Sequence, residues 1–128
     1  MKARVLVVDV IGDKGVYETE VDDLQDIYDA LRCDCFDIAY RKVGGKKKFD
    51  IFCDDIGLFA ENPIVSALDE KMCPALVGNL LFANHDMEGN TTSLSDEDVQ
   101  IIKDNIITLI DFDSDPIRQW VAVMPVEY

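Results

Sequence analysis

The spacing of apolar positions changes several times along the chain, and each change marks an element. "RVLVVDVI", residues 4 to 11, is a nearly unbroken apolar run that only Asp9 interrupts. That pattern predicts a central strand buried on both faces. "GDKG" at 12 to 15 is a turn cluster, and "VYETEV" then alternates, with Tyr17, Thr19 and Val21 on one side and Glu18 and Glu20 on the other. The two segments read as a hairpin. The period then becomes helical. Leu24, Ile27, Tyr28 and Leu31 recur at i, i+3, i+4 and i+7, while Asp22, Asp23, Asp26 and Asp29 take the opposite face. This predicts an amphipathic helix of about three turns, ending near Arg32, with its first acids at the positive end of the dipole.

"FDIAYRKV" and "KKKFDIFC" flank Gly44-Gly45 and predict a second hairpin with a two-residue type I′ turn. In that register Phe36 faces Cys53, Ile38 faces Ile51 and Tyr40 faces Phe49 on one apolar side. Asp37 with Phe52, Ala39 with Asp50 and Arg41 with Lys48 take the other. Further on, Asn62 and Pro63 predict the cap and first turn of a short helix. "PALVGNLLFAN" (74 to 84) predicts one buried strand with Gly78 at a bulge or close contact. "LSDEDVQIIKDNI" predicts a helix capped by Ser95, with Asp98 at N3, Leu94 stapled onto Val99, and Val99, Ile102 and Ile106 on its core face. "DFDSDP" is a breaker-rich loop. The segment beyond it predicts a last strand or an irregular cover, with Trp120 filling a core gap. The order β-β-α-β-β-α-β-α, with that last strand, predicts an α+β domain: a mainly antiparallel sheet built from hairpins, with two or three helices packed against it.

The segments "NPIVSAL", "PALVGNLLFAN" and "SLSDEDVQIIKDNI" resemble an uncharacterised family of small proteins carried by bacterial phages, plasmids and integrative elements. The matching positions are Asn62 and Ala67, Gly78 with residues 80 to 83, and residues 93 to 98. The resemblance spans about residues 4 to 106 and leaves 107 to 128 as a C-terminal extension. It implies an accessory protein of a mobile element acting inside a bacterial cell. Its motifs are turns, caps and buried runs, and it carries no catalytic residues across.

Composition narrows the function. With 128 residues, 48% of them hydrophobic and 30% charged, the chain has the makeup of a single folded domain. The opening apolar run is too short for a bilayer and lacks a cleavage site, which predicts a cytoplasmic protein with no membrane association. Acids number 26 against 12 bases, a formal charge of −14, so nucleic acid and anionic lipid should be repelled. The bases are uneven. Arg41, Lys42, Lys46, Lys47 and Lys48 lie within eight residues that contain no acid, and everything else sums to −19. A basic hairpin tip on an acidic body is the expected charge layout.

Candidate chemistry is sparse. Cys33 and Cys35 are spaced C-x-C, which is not the C-x2-C knuckle of a zinc site. In the two-residue-turn register Cys35 and Cys53 point to opposite faces and cannot bridge. His85 is followed by Asp86, but sequence neighbours rarely face each other. Gly44-Gly45 before three lysines lacks the spacing of a phosphate loop. Asp54, Asp55 and Glu61, or Asp111, Asp113 and Asp115, can attract a divalent ion, although the latter loop lacks the glycine and closing glutamate of a calcium site. No metal or cofactor is expected.

These features predict a noncatalytic interaction protein with a protein partner. A sharper alternative is an acidic nucleic-acid mimic directed at a host defence enzyme, with Asp22, Asp23, Asp26 and Asp29 of the first helix and Asp96, Glu97 and Asp98 of the last as its surface. The third alternative is a small thiol- or metal-dependent enzyme using Cys33, Cys35 or His85. Self-association through residues 16 to 21 is opposed by Glu18 and Glu20.

Overall fold

The computed structural model of the protein describes residues 2–54 and 63–128. Strands β1 (Ala3–Asp9) and β2 (Gly15–Val21) form the first hairpin, and helix α1 (Leu24–Leu31) follows. Strands β3 (Phe36–Val43) and β4 (Lys47–Asp54) form the second hairpin. After them come β5 (Val65–Leu68), β6 (Pro74–Val77), β7 (Leu80–His85) and β8 (Thr91–Thr92). Helix α2 (Asp96–Lys103) precedes β9 (Ile106–Asp111), β10 (Arg118–Val123) and β11 (Val126–Glu127).

Two sheets result. The larger runs β11-β3-β4-β7-β1-β2, with β8 paired to the end of β7, and all its pairings are antiparallel. The smaller runs β6-β5-β10-β9, antiparallel except for one parallel contact between β10 and β5. This is an α+β fold of mostly antiparallel sheet, with two helices among the described residues.

The alternation along β1 explains the layers. Val5 and Val7 join Phe52 and Leu81 beneath Ile27 and Leu31 of α1. Leu6 and Val8 join Phe49, Ile51 and Phe82 on the other face, under Ala67 and Val123 of the small sheet and Val99 and Ile102 of α2. The main sheet is thus covered on both sides, as the unbroken apolar run of β1 requires. Phe49 and Phe82 meet edge to face at 6.5 Å between ring centres, and both are fully buried. Each such side chain contributes about 2–3 kcal/mol by leaving water.

Several expectations are corrected. Residues 65–68 form strand β5 and not a helix, because this short apolar run pairs with β6 and β10. The Asn62 cap lies outside the described residues. The run 74–84 is two strands in different sheets, divided where Gly78 takes φ +76° and donates its N–H to Ile64 O at 2.8 Å. Helix α2 has the capping box read for Ser95 and Asp98, and Leu94 and Val99 are both buried in one cluster. It stops at Lys103, however, and Ile106 opens β9 while still packing on that core.

The second hairpin shifts by one residue. Gly44 and Gly45 have φ of +63° and +69°, as a primed turn needs. Lys46 is an additional loop residue, its N–H bonded to Val43 O at 3.1 Å, so pairing resumes at Val43–Lys47. Phe36 therefore faces Asp54, Ile38 faces Phe52 and Tyr40 faces Asp50. The shift buries Val43 with Phe49, Ile51 and Cys53 and turns Ile38 and Tyr40 outward, each 47% exposed. Cys35 precedes β3 and is not across from Asp54.

The last 22 residues are woven into both sheets. β10 lies between β5 and β9, while β11 pairs with β3 at an edge of the main sheet. The Trp120 indole packs on the core and donates to Val65 O at 2.8 Å.

Candidate functional site

The outward turn of β3 creates a local surface that the two-residue-turn register would have buried. β4 and β7 pair from Cys53–Leu80 as far as Asp50–Ala83. Beyond that point β7 turns to β8, pairing Asn84 with Thr92 and His85 with Thr91, whereas β4 continues against β3 to Lys47. The strands part, and a cleft of about 300 Å³ opens between them, lined by Tyr40, Lys47, Lys48, Asp50, Asn84, His85 and Thr92.

His85 is held by Asp50, 35 residues earlier, with Nδ1 2.8 Å from Oδ2. A carboxylate only accepts, so the hydrogen bond places the proton on Nδ1 and leaves Nε2 for a second partner. Asp50 is buried. The Tyr40 ring sits 5.4 Å from the imidazole and tilts 58° to it. The Lys48 ammonium lies 5.4 Å from the centre of the same ring, within cation–π range. Asp86, the sequence neighbour, serves its own loop instead. Its Oδ1 accepts from the backbone N–H groups of Asn90 and Glu88, both at 2.9 Å. Those bonds, Asn90 foremost, hold it below the usual carboxylate range.

The basic hairpin tip divides by face. Lys47 reaches over to Asp98 at the start of α2, Nζ to Oδ1 2.7 Å. Asp98 also accepts from Asn84 Nδ2 at 2.8 Å and Ser95 N at 2.9 Å. Burial alone raises the Asp98 carboxyl, but Lys47, Ser95 and Asn84 together outweigh it and hold the group at about 2. Asp98 is therefore an internal anchor for the hairpin, only 4% exposed. Lys42 and Lys48 stand directly across from each other on the Tyr40 side, and Lys46 is exposed at the tip. Arg41 points the other way, its guanidinium 3.9 Å from the centre of the Tyr128 ring.

Of the acids read on the two helices, Asp98 is buried, and the others sit on or beside α1 and α2, which pack on opposite faces of the main sheet. Asp22, Asp23 and Asp29 are exposed along α1. Asp23 caps the helix through Asp26 N–H at 3.0 Å, and Asp26 accepts back from Asp22 N–H at 2.8 Å. Asp96 and Glu97 are exposed at α2, on the opposite side of the main sheet, and Asp96 pairs with Arg4 at 2.7 Å.

The thiols are also dispersed. Cys33 packs on the α1 side of the sheet, and Cys53 is buried on the other side. Burial, with Asp37 and Asp54 nearby, pushes the Cys53 thiol up to about 11. Cys35 and Cys73 are exposed. No thiol lines the cleft. Among the described residues, no three His, Cys, Asp or Glu side chains cluster as a metal site. Asp55 and Glu61 lie outside them. In "DFDSDP" the Asp111 carboxylate accepts from Asp113 N–H at 3.0 Å, and Ser114 Oγ ties Asp111, Pro116 and Arg118 together. That loop is a hydrogen-bonded turn. No described helix is long and apolar enough to cross a membrane.

One polar cluster went unread in the sequence. Asp9 and Asn79 are buried side by side, with Asn79 Nδ2 donating to Asp9 Oδ1 at 2.7 Å and to Ala30 O at 3.0 Å. Asn79 Oδ1 accepts from Val10 and Ile11 N–H at 2.8 and 3.0 Å. Burial raises the Asp9 carboxyl, yet Gly12 N–H, Asn79 and the Arg32 guanidinium more than offset it and hold it low. The cluster ties β1, α1 and β7 together. Asp9, alone in an apolar run, was the visible signal.

The search of curated proteins and the search of solved structures found no match. A family model does match, over residues 1–107, a span that ends close to where the sequence resemblance ended. The chain belongs to the family described as Domain of unknown function (DUF3846).

Proposed function

We propose that the chain is a noncatalytic interaction module, an accessory protein of a bacterial mobile element acting inside the cell. It receives an acidic segment of a protein partner in the cleft between β4 and β7. The observation that carries this reading is the parting of those strands beneath Tyr40, Lys48 and His85, on the one basic segment of a strongly acidic chain. An ammonium beside an aromatic ring at a concave site suits a carboxylate-bearing ligand, and His85 Nε2 is left to accept from an N–H of the same segment. The −19 remainder orients the approach and repels nucleic acid. Asp50 fixes the orientation of His85, which serves in this reading as a binding group.

The exposed Asp22, Asp23 and Asp29 on α1 support a second reading, the acidic mimic, now confined to that helix. Affinity capture from host cells at low and high salt separates the two. Under the cleft reading, Tyr40→Ala with Lys48→Glu loses the captured partner, while Asp22→Asn with Asp29→Asn keeps it. Loss through the α1 variant, with DNA competing for the partner, would establish the mimic instead. Turnover of a substrate abolished by His85→Ala would overturn both.

A further inference from the structure

We propose that β9 is a self-pairing edge, through which two copies of this chain join their small sheets about a two-fold axis at Thr108. Among the described residues the two strand orders end at β2, β11, β6 and β9, and the first three carry devices that discourage pairing. β2 presents Glu18 and Glu20. β11 has two residues, and β6 has four, begins at Pro74 and shifts register against β5. β9 has none of these devices. Its sequence is IITLID, its only charge is Asp111 at the end, and its six-residue ladder with β10 is unbroken. Its other side pairs with no described strand.

β9 is close to palindromic about Thr108, with Ile106 and Ile107 before it and Leu109 and Ile110 after it, which selects a second copy as the occupant. Two chains of −14 repel wherever acidic surfaces meet, and the uncharged stretch from Ile106 to Ile110 confines that repulsion to Asp104 and Asp111 at the ends of β9. Antiparallel pairing about a two-fold axis requires opposed residues to share a face, hence residue numbers of equal parity. Centring on Thr108 satisfies this. Ile106 then opposes the copy's Ile110, and Ile107 opposes the copy's Leu109, so every pair beside the axis is apolar. Asp111 falls outside the paired core. Ile110, 46% exposed in the single chain, becomes covered. This edge belongs to the small sheet and is separate from the β4–β7 cleft.

Sedimentation velocity of the full chain across protein concentration, at about 0.05 and 0.5 M salt, tests the proposal. The expected result is a dimer that tightens with salt, because salt screens the repulsion between acidic copies. Thr108 is exposed, so charged substitutions there leave the single chain folded, which circular dichroism verifies. Thr108→Lys and Thr108→Asp each set like charges across the axis and weaken the dimer by about tenfold or more. Mixing the two variants restores a mixed dimer. A pure chain that stays monomeric under all conditions, leaving β9 to a strand of some other protein, would overturn the proposal. So would a dimer that neither substitution weakens.

Discussion

Asp98 and Asn79 show how single buried polar groups shape this molecule. Asp98 is held at about 2, below the roughly 3.9 of an unfolded aspartate. A depressed carboxyl stabilises the folded state above its unfolded pKa and loses that contribution as pH falls through the folded value. Its share, about 2 kcal/mol, is therefore complete above about pH 5 and is lost as pH falls through the folded value of about 2. Urea titrations should show Asp98→Asn less stable than the parent by that amount at pH 7, with the two converging on acidification. A constant difference down to pH 2 would contradict the linkage. Replacing Asn79 with Leu removes one donor from the Asp9 carboxylate and strands the N–H groups of Val10 and Ile11, and should cost about 3 kcal/mol in the same titration. A loss within about 0.5 kcal/mol, typical of surface changes, would mean that the cluster is dispensable. Asp9 was conspicuous in the sequence as the one charge in an apolar run. Asn79 was not, because it lies within a run that reads as one buried strand, and the β1 groups it binds are about seventy residues away.

The two helices and the first hairpin were legible because their signals are local. Asp23 with Asp26, and Ser95 with Asp98, each satisfy helix amides within four residues. Residues 65–68 and the hairpin register were not, since both depend on distant partners. A four-residue apolar run suits a strand or a helix turn until β10 and β6 arrive. β4 is buried on both faces from Phe49 to Cys53, so its pattern could not choose between a two- and a three-residue loop, and the choice fell to Lys46. The glycines of that loop provide an element-level test. Ala at either position meets a left-handed backbone, about 1 kcal/mol. A Cβ on Gly45 enters open space, whereas one on Gly44 overlaps the Asn105 carboxamide, which donates to Ile101 O at 2.7 Å. Thermal unfolding should therefore rank Gly44→Ala below Gly45→Ala by at least about 1 kcal/mol. Equal losses would mean that the turn does not rest on Asn105.

At the scale of the whole molecule, the sequence announced a charge layout but not the surface that displays it. The five bases at 41–48 were visible as a cluster. Their division was not: Lys47 is spent on Asp98, Arg41 stacks on Tyr128, and Lys48 joins Tyr40 beside a histidine from another strand. That convergence requires β7 to lie next to β4 and then leave it, a non-local event with no sequence signature. The acids are likewise clear in the sequence as two helical groups, but not the burial of Asp98 or the packing of the two helices on opposite faces of the main sheet. The most direct measurement is to map the bound partner by NMR, titrating it into the isotope-labelled chain. The account predicts that amide shifts concentrate at Tyr40, Lys48, Asn84, His85 and Thr92, fade with added salt, and spare α1. Shifts confined to residues 22–29, with the cleft silent, would contradict it.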